Sequence, residues 1–100
     1  MEVCAAAELK QSEAILERYL NEANRIVADH ADARESLKSA HAAWVKYRDS
    51  QCMAVYQLFS PGREAGLQML GCKTATVQRR THELWETYLR NMVTSLPEPK

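Results

Sequence analysis

Apolar residues recur at intervals of three and four along most of the chain, which is the spacing of an amphipathic α-helix. Long stretches carry neither Gly nor Pro, and short β-branched runs bounded by turn residues are missing. The pattern predicts an all-α fold with three long helices, at about residues 2–29, 32–59 and 64–94. Because the connections between them are short, we expect an up-down-up bundle of antiparallel helices.

Each predicted helix has one stripe that should face the core. In the first helix, the stripe consists of Leu9, Ser12, Leu16, Tyr19, Ala23 and Ile26. In the second, it consists of Leu37, His41, Trp44, Arg48, Cys52 and Val55. In the third, it consists of Leu67, Leu70, Thr74, Val77, Thr81, Leu84 and Tyr88.

Turn and cap residues set the expected ends of these helices. Asp32 is a reasonable N-cap for the second helix, with Glu35 three residues later. Pro61 and Gly62 should end that helix, because Pro lacks the backbone donor and Gly releases the chain into a turn. The Leu-Pro-Glu-Pro run should end the third, so we predict one domain at residues 1–95 and a disordered tail at 96–100.

The turn at Gly62 also predicts a disulfide. Cys52 lies ten residues before Gly62 and Cys72 ten residues after it. In an antiparallel hairpin the two cysteines therefore sit at the same height, where they form a disulfide if their Cβ atoms face each other. In the chain-entropy model a loop of this size contributes roughly 3 kcal/mol. The predicted bond staples the second helix to the third and leaves Cys4 as a buried thiol or without its partner.

Charge restricts the class of partner. The chain has 13 basic and 13 acidic residues, so it has no basic surplus to neutralise nucleic-acid phosphates. Residues 1–30 carry six acids and three bases, which makes the first helix the acidic part of the sequence. No apolar run is long enough for a membrane span. We expect no nucleic-acid partner and no membrane span in this chain.

The same hairpin register places Trp44 opposite Arg80, where a cation–π contact would hold the second and third helices together. It places Arg48 near Thr76, and Asp49 is too close along the helix to face Arg48 squarely. One interpretation is therefore structural. The other is that Tyr47, Arg48 and Asp49 present a contact surface.

The sequence gives little evidence for a metal-binding or catalytic site. His41 and His82 approach the same height and, with Glu83, would resemble a two-histidine, one-carboxylate metal site. No helical metal-ligand motif reinforces the pair, and no nucleophile elbow or phosphate-binding loop is present. A narrow bundle also has no room for a deep pocket. We therefore expect no enzyme activity, no metal and no cofactor.

The run Trp44, Tyr47-Arg48-Asp49, Cys52, then Cys72 and Arg80-Thr81 with Leu84, resembles the N-terminal domain of the LprI lysozyme-inhibitor family. The start, Met-Glu-Val-Cys4-Ala, is similar to the family's first motif. The resemblance covers about residues 1–90. One departure is Val77, which stands where the family usually has a Thr three residues before the Arg.

The resemblance implies a periplasmic or secreted lysozyme inhibitor that acts by occluding the enzyme. We expect that a signal peptide, which this chain lacks, has been removed. Candidate contacts are Arg63 in the turn, which would meet catalytic carboxylates, and the acidic residues Glu13, Glu17 and Glu22, which would attract a basic lysozyme. The alternative is a periplasmic interaction module with another protein partner and no lysozyme inhibition.

Overall fold

The computed structural model describes residues 2–100, which contain three α-helices and no strand. The helices are α1 (Glu2–Ile26), α2 (Ala31–Phe59) and α3 (Ala65–Leu84), and a π-helical turn (Trp85–Leu89) continues α3. Helices α1 and α3 run in the same direction, since Ser12 lies beside Gln78 and Arg25 beside Val93. Helix α2 runs the other way. The predicted all-α, up-down-up bundle with a disulfide between its second and third helices is confirmed.

The core lies mainly between α1 and α3. Its buried residues on α1 and directly after it fall at the predicted three- and four-residue spacing: Leu16, Tyr19, Ala23 and Val27. On α3 and the π-helical turn they are Val77, Leu84 and Leu89. Two buried threonines on α3 donate their hydroxyls to carbonyls four residues back, Thr76 to Cys72 at 2.8 Å and Thr81 to Val77 at 3.1 Å. A long apolar seam therefore joins α1 to α3.

Helix α2 is attached differently. Only Leu37 and Cys52 are buried among its 29 residues. It packs chiefly against α3, and its backbone hardly approaches α1. An open cleft of about 390 Å³ separates α2 from α1 at the level of Leu20, Asn24 and Leu37. The molecule is correspondingly flat, with extents of 49 × 24 × 15 Å.

Two predicted helix ends were wrong by a few residues. Helix α1 ends at Ile26 rather than Asp29, because a turn closed by the bond from the His30 amide to the Val27 carbonyl (2.9 Å) takes over. Helix α2 already begins at Ala31, so Asp32 lies in its first turn and does not cap it. His30 occupies the N-cap position without a side-chain hydrogen bond.

The end of α3 differs more. We predicted a regular helix to about residue 94, but the α-helix ends at Leu84 and a π-helical turn follows. The Arg90 amide donates to the Trp85 carbonyl at 2.8 Å, five residues back. This wider turn inserts one residue, so Leu89 rather than Tyr88 follows Leu84 into the core.

The segment after the π-helical turn is packed against the bundle, contrary to the predicted disordered tail. Leu96 contacts the core cluster, and the Tyr19 hydroxyl donates to the Pro97 carbonyl at 2.5 Å. Apolar contact and hydrogen bonding outside any helix could not be read from helical periodicity. Among residues 2–100, no helix has the length and apolar character needed to cross a membrane.

Candidate functional site

The disulfide fixes where α2 lies along the bundle axis relative to α3. Cys52 and Cys72 are bonded, with their Cα atoms 5.6 Å apart, which confirms the pairing predicted from the turn at Gly62. Cys52 is fully buried. The third cysteine, Cys4, is a free thiol on the exposed side of α1, not the buried thiol that was one of the two expectations.

Trp44, Arg48 and Asp49 form one cluster on α2. The Arg48 guanidinium lies over the Trp44 indole, 5.3 Å from the ring centroid, and donates through Nε and Nη2 to Asp49 Oδ1 at 3.0 and 2.9 Å. Arg48 Nη1 is also 3.9 Å from a carboxylate oxygen of Glu13 on α1. Two sequence predictions were therefore wrong: Arg48, not Arg80, covers Trp44, and Asp49 does face Arg48.

Arg80 instead turns along its own helix. Its Nη1 donates to Glu83 one turn later, and the guanidinium over the Trp44 ring is that of Arg48. Arg80 is only 8% exposed, and its Nε and Nη2 atoms are buried without a hydrogen-bond partner among the described residues. Its charge lies inside the bundle rather than on a surface that a partner could contact.

The two histidines have different neighbours. His41 stacks on Trp44 with ring centroids 5.2 Å apart, and burial, followed by the nearby Arg80 charge, lowers the pKa of His41. His82 lies 5.7 Å from the Trp85 ring and 3.1 Å from the Glu98 carboxylate. No group of three His, Cys, Asp or Glu side chains within residues 2–100 is placed to hold a metal ion.

The three acidic candidates on α1 do not share one surface. Glu13 is half-exposed and faces Arg48, whereas Glu22 binds Arg25 at 2.6 Å and accepts a hydrogen bond from Thr94. The hydrogen bond from Arg25, reinforced by that from Thr94, lowers the pKa of Glu22 to about 2. Glu17 is exposed, and its charge acts on His41 across the cleft. Glu13 and Glu17 therefore face α2, and Glu22 faces the C-terminal segment.

A second stripe on α2, beside the stripe predicted to face the core, is exposed. Asp49, Met53 and Tyr56 lie at i, i+4 and i+7, and so share one side of the helix. The Asp49 side chain is 55% exposed, Met53 48% and Tyr56 38%. Their spacing was visible in the sequence, but the stripe predicted to face the core gave the stronger pattern. Together with Glu13 and Glu17 we call this stripe the acidic–apolar face.

The remaining motif residues divide between interior and surface. Leu84 and Val77 are fully buried, so the position at which the family usually has Thr is apolar core here. Tyr47 is 54% exposed on α2. Arg63 is exposed in the turn between α2 and α3, and no ion pair of the described residues includes it.

The pattern of the family "Lysozyme inhibitor LprI" matches residues 1–84 of the chain. An uncharacterized protein of Rhizobium meliloti (strain 1021) is 38% identical over 61 residues, which are 61% of this chain and 44% of that relative. The chain thus matches less than half the length of this curated relative. No solved structure is significantly similar to the chain. The family match covers most of the sequence, and the chain belongs to the LprI lysozyme inhibitor family.

Proposed function

We propose that the protein is a periplasmic or secreted inhibitor that binds lysozyme and occludes it. The family match over residues 1–84 is the observation that carries this proposal. The Cys52–Cys72 disulfide supports a location outside the cytoplasm, because disulfides persist in oxidising compartments. A family of inhibitors also agrees with a non-catalytic role.

The acidic–apolar face is the first candidate for the contact with lysozyme. Glu13 and Asp49 are about half exposed, and the Arg48 side chain between them is only 18% exposed. The recessed guanidinium places both of its hydrogen bonds to Asp49 on Oδ1. Asp49 Oδ2 is left for a donor from outside, so the face offers carboxylates beside apolar surface to a basic partner.

The turn at residues 60–63 is the second candidate. Its backbone is held by the bond from the Gly62 amide to the Phe59 carbonyl at 2.8 Å, so the turn has a fixed shape. Arg63 projects from it with exposed apolar neighbours on α2, among them Leu58, which is 78% exposed. A narrow, exposed turn carrying one guanidinium is suited to a cleft lined by carboxylates.

Lysis of bacterial cell walls by lysozyme, followed as loss of turbidity, tests the proposal directly. We expect dose-dependent inhibition by the oxidised protein at micromolar or lower concentration, because a stable contact of ordinary interface size has an affinity in that range. The test should include both goose-type and chicken-type lysozymes. No inhibition of either would contradict the proposal and favour an interaction module with another periplasmic partner, consistent with the exposed Met53 and Leu58.

Charge reversal then separates the two surfaces. Glu13→Lys with Glu17→Lys should slow association with lysozyme, since electrostatic steering raises association rates. Glu22→Gln is a control for loss of an acidic residue of α1 that does not face α2, since Glu22 binds Arg25 and Thr94 instead. An unchanged association rate in the double variant, with inhibition lost in Arg63→Ala, would assign the contact to the turn.

A further inference from the structure

The C-terminal segment lies along the groove between α1 and α3 and contacts α1 at successive levels. Arg25 donates to the Val93 carbonyl at 3.0 Å, Thr94 donates to Glu22, and the Tyr19 hydroxyl donates to the Pro97 carbonyl at 2.5 Å. The contacted residues of α1 fall from 25 to 19 as those of the segment rise from 93 to 97. The segment therefore runs antiparallel to α1 without helical structure of its own.

Much of this recognition is directed at the backbone. The Arg25 and Tyr19 donors bind carbonyl oxygens, which every residue has, and so place few demands on the side chains at those positions. Such contacts suit an extended segment with free carbonyls, as in a polyproline II conformation, which has no internal hydrogen bonds. Aromatic grooves use the same chemistry to bind proline-rich peptides.

Three features of the segment add selectivity. Leu96 packs its side chain against the core cluster, and Glu98 lies 3.1 Å from His82 on α3. Pro97 and Pro99 flank Glu98 and restrict the chain to an extended conformation. Below them a cavity of about 340 Å³ stays open, and its helical walls are Ser12, Ile15, Arg18, Tyr19, Gln78 and Thr81. The groove is larger than its present occupant.

We propose that the α1–α3 groove is a docking site for an extended, proline-containing segment of a partner protein, and that residues 93–98 occupy it in the free molecule. The partner segment would carry an apolar residue followed by a Pro-acid-Pro element, the chemistry that the chain's own Leu96–Pro99 run places there. This site is separate from the acidic–apolar face and from the turn, so it does not depend on lysozyme binding.

The chain's own segment competes with any such partner. A tethered ligand acts at an effective concentration in the millimolar range, so the groove should respond weakly to a free peptide while the segment is docked. Weakening the segment should reveal the site. Leu96→Ser removes its apolar anchor, and Glu98→Gln replaces the carboxylate that contacts His82. Both residues lie outside the helices.

The test uses a fluorescent peptide with the sequence of residues 95–100, Ser-Leu-Pro-Glu-Pro-Lys, and fluorescence anisotropy. We expect it to bind the full chain carrying Leu96→Ser and Glu98→Gln at least ~10-fold more tightly than the parent chain, because the tethered competitor is weakened. A peptide with both prolines replaced by Ala should bind several-fold more weakly, since it is not pre-extended.

Tyr19→Phe in the same background should weaken peptide binding by roughly fivefold through loss of one hydrogen bond. Tyr47→Phe is the matched control, because Tyr47 is an exposed tyrosine on α2. NMR signals of residues 96–100 report whether the chain's own segment has left the groove. Lack of saturable binding, equal effects of the two Tyr substitutions, or a segment that stays docked in the weakened variant would each overturn the proposal.

Discussion

Helices α1 and α2 are similar in length but are attached to α3 by different means. Helix α1 buries Leu16, Tyr19 and Ala23 in a continuous apolar seam with α3. Helix α2 buries only Leu37 and Cys52, and a covalent bond joins it to α3. Burial of apolar area stabilises the first contact, whereas the disulfide acts largely by restricting the unfolded chain.

Within one small domain, α1 and α3 therefore form the packed scaffold, whereas α2 keeps an exposed surface. The apolar stripe of α1 is covered by α3, so α1 offers a partner only the surface beside that stripe. Helix α2 is held at Cys52 and Leu37, so Tyr47, Met53 and Tyr56 remain exposed. The disulfide thus allows an exposed helix in a domain too small to bury all three helices equally.

The largest effect should come from the apolar seam. Leu84 is fully buried at its centre, and Leu84→Ala should lower the free energy of unfolding by about 3 kcal/mol through lost burial and a residual cavity. Chemical denaturation followed by circular dichroism measures this change. Leu58→Ala is the control on α2, since Leu58 is 78% exposed and should change stability by less than about 0.5 kcal/mol. Equal effects of the two substitutions would remove the distinction between the two regions.

The disulfide should have the next effect. Replacing Cys52 and Cys72 with Ala should cost roughly 3 kcal/mol at most, as expected for a loop with a sequence separation of 20 residues. Hydrogen exchange should show a faster rate mainly in α2, because α1 and α3 keep their apolar seam. Cys4→Ala is the control, since Cys4 is exposed and unbonded. Uniformly faster exchange in all three helices would contradict the proposed difference between α2 and the α1–α3 seam.

The sequence predicted only part of this difference between the apolar α1–α3 seam and the exposed helix α2. Counting residues from Gly62 was enough to pair Cys52 with Cys72, because two rigid helices joined by a short turn keep one register. Periodicity also identified the seam residues on α1. It overestimated the burial of α2, since a stripe of Leu37, Trp44 and Val55 does not reveal how closely α1 approaches.

Residue spacing did not predict the directions of side chains or the structure that follows α3. The Arg48 side chain is long enough to cover Trp44 and still reach Asp49, so residue spacing alone did not select its partner. The π-helical turn depends on which of Tyr88 and Leu89 fits the core better, and that is a property of the packed bundle. The bonds from the C-terminal segment to α1 join residues 68 to 78 positions apart.

The smallest expected effect concerns whether that C-terminal segment belongs to the α1–α3 half of the molecule. Glu22 joins the two, since it binds Arg25 and accepts a hydrogen bond from Thr94. These hydrogen bonds lower the pKa of Glu22 from 4.5 to about 2, so folding favours the ionised carboxylate. The stabilisation is fully present above the ordinary pKa of about 4.5 and is lost as the pH falls through about 2.

An NMR titration from pH 6 to pH 1.5 follows the Glu22 carboxylate and the C-terminal segment. We expect a midpoint near pH 2 for the Glu22 side-chain carbon, accompanied by changes at the Thr94 and Leu96 amides, while the Leu84 methyl signals stay constant. Glu22→Gln should remove the response at Thr94 over this range, since it leaves no carboxylate to protonate there. A Glu22 midpoint near 4.5 would show that the segment is not bound to α1 through this carboxylate. Because Glu22 lies outside the apolar seam, acid should loosen the segment at Thr94 without separating α1 from α3.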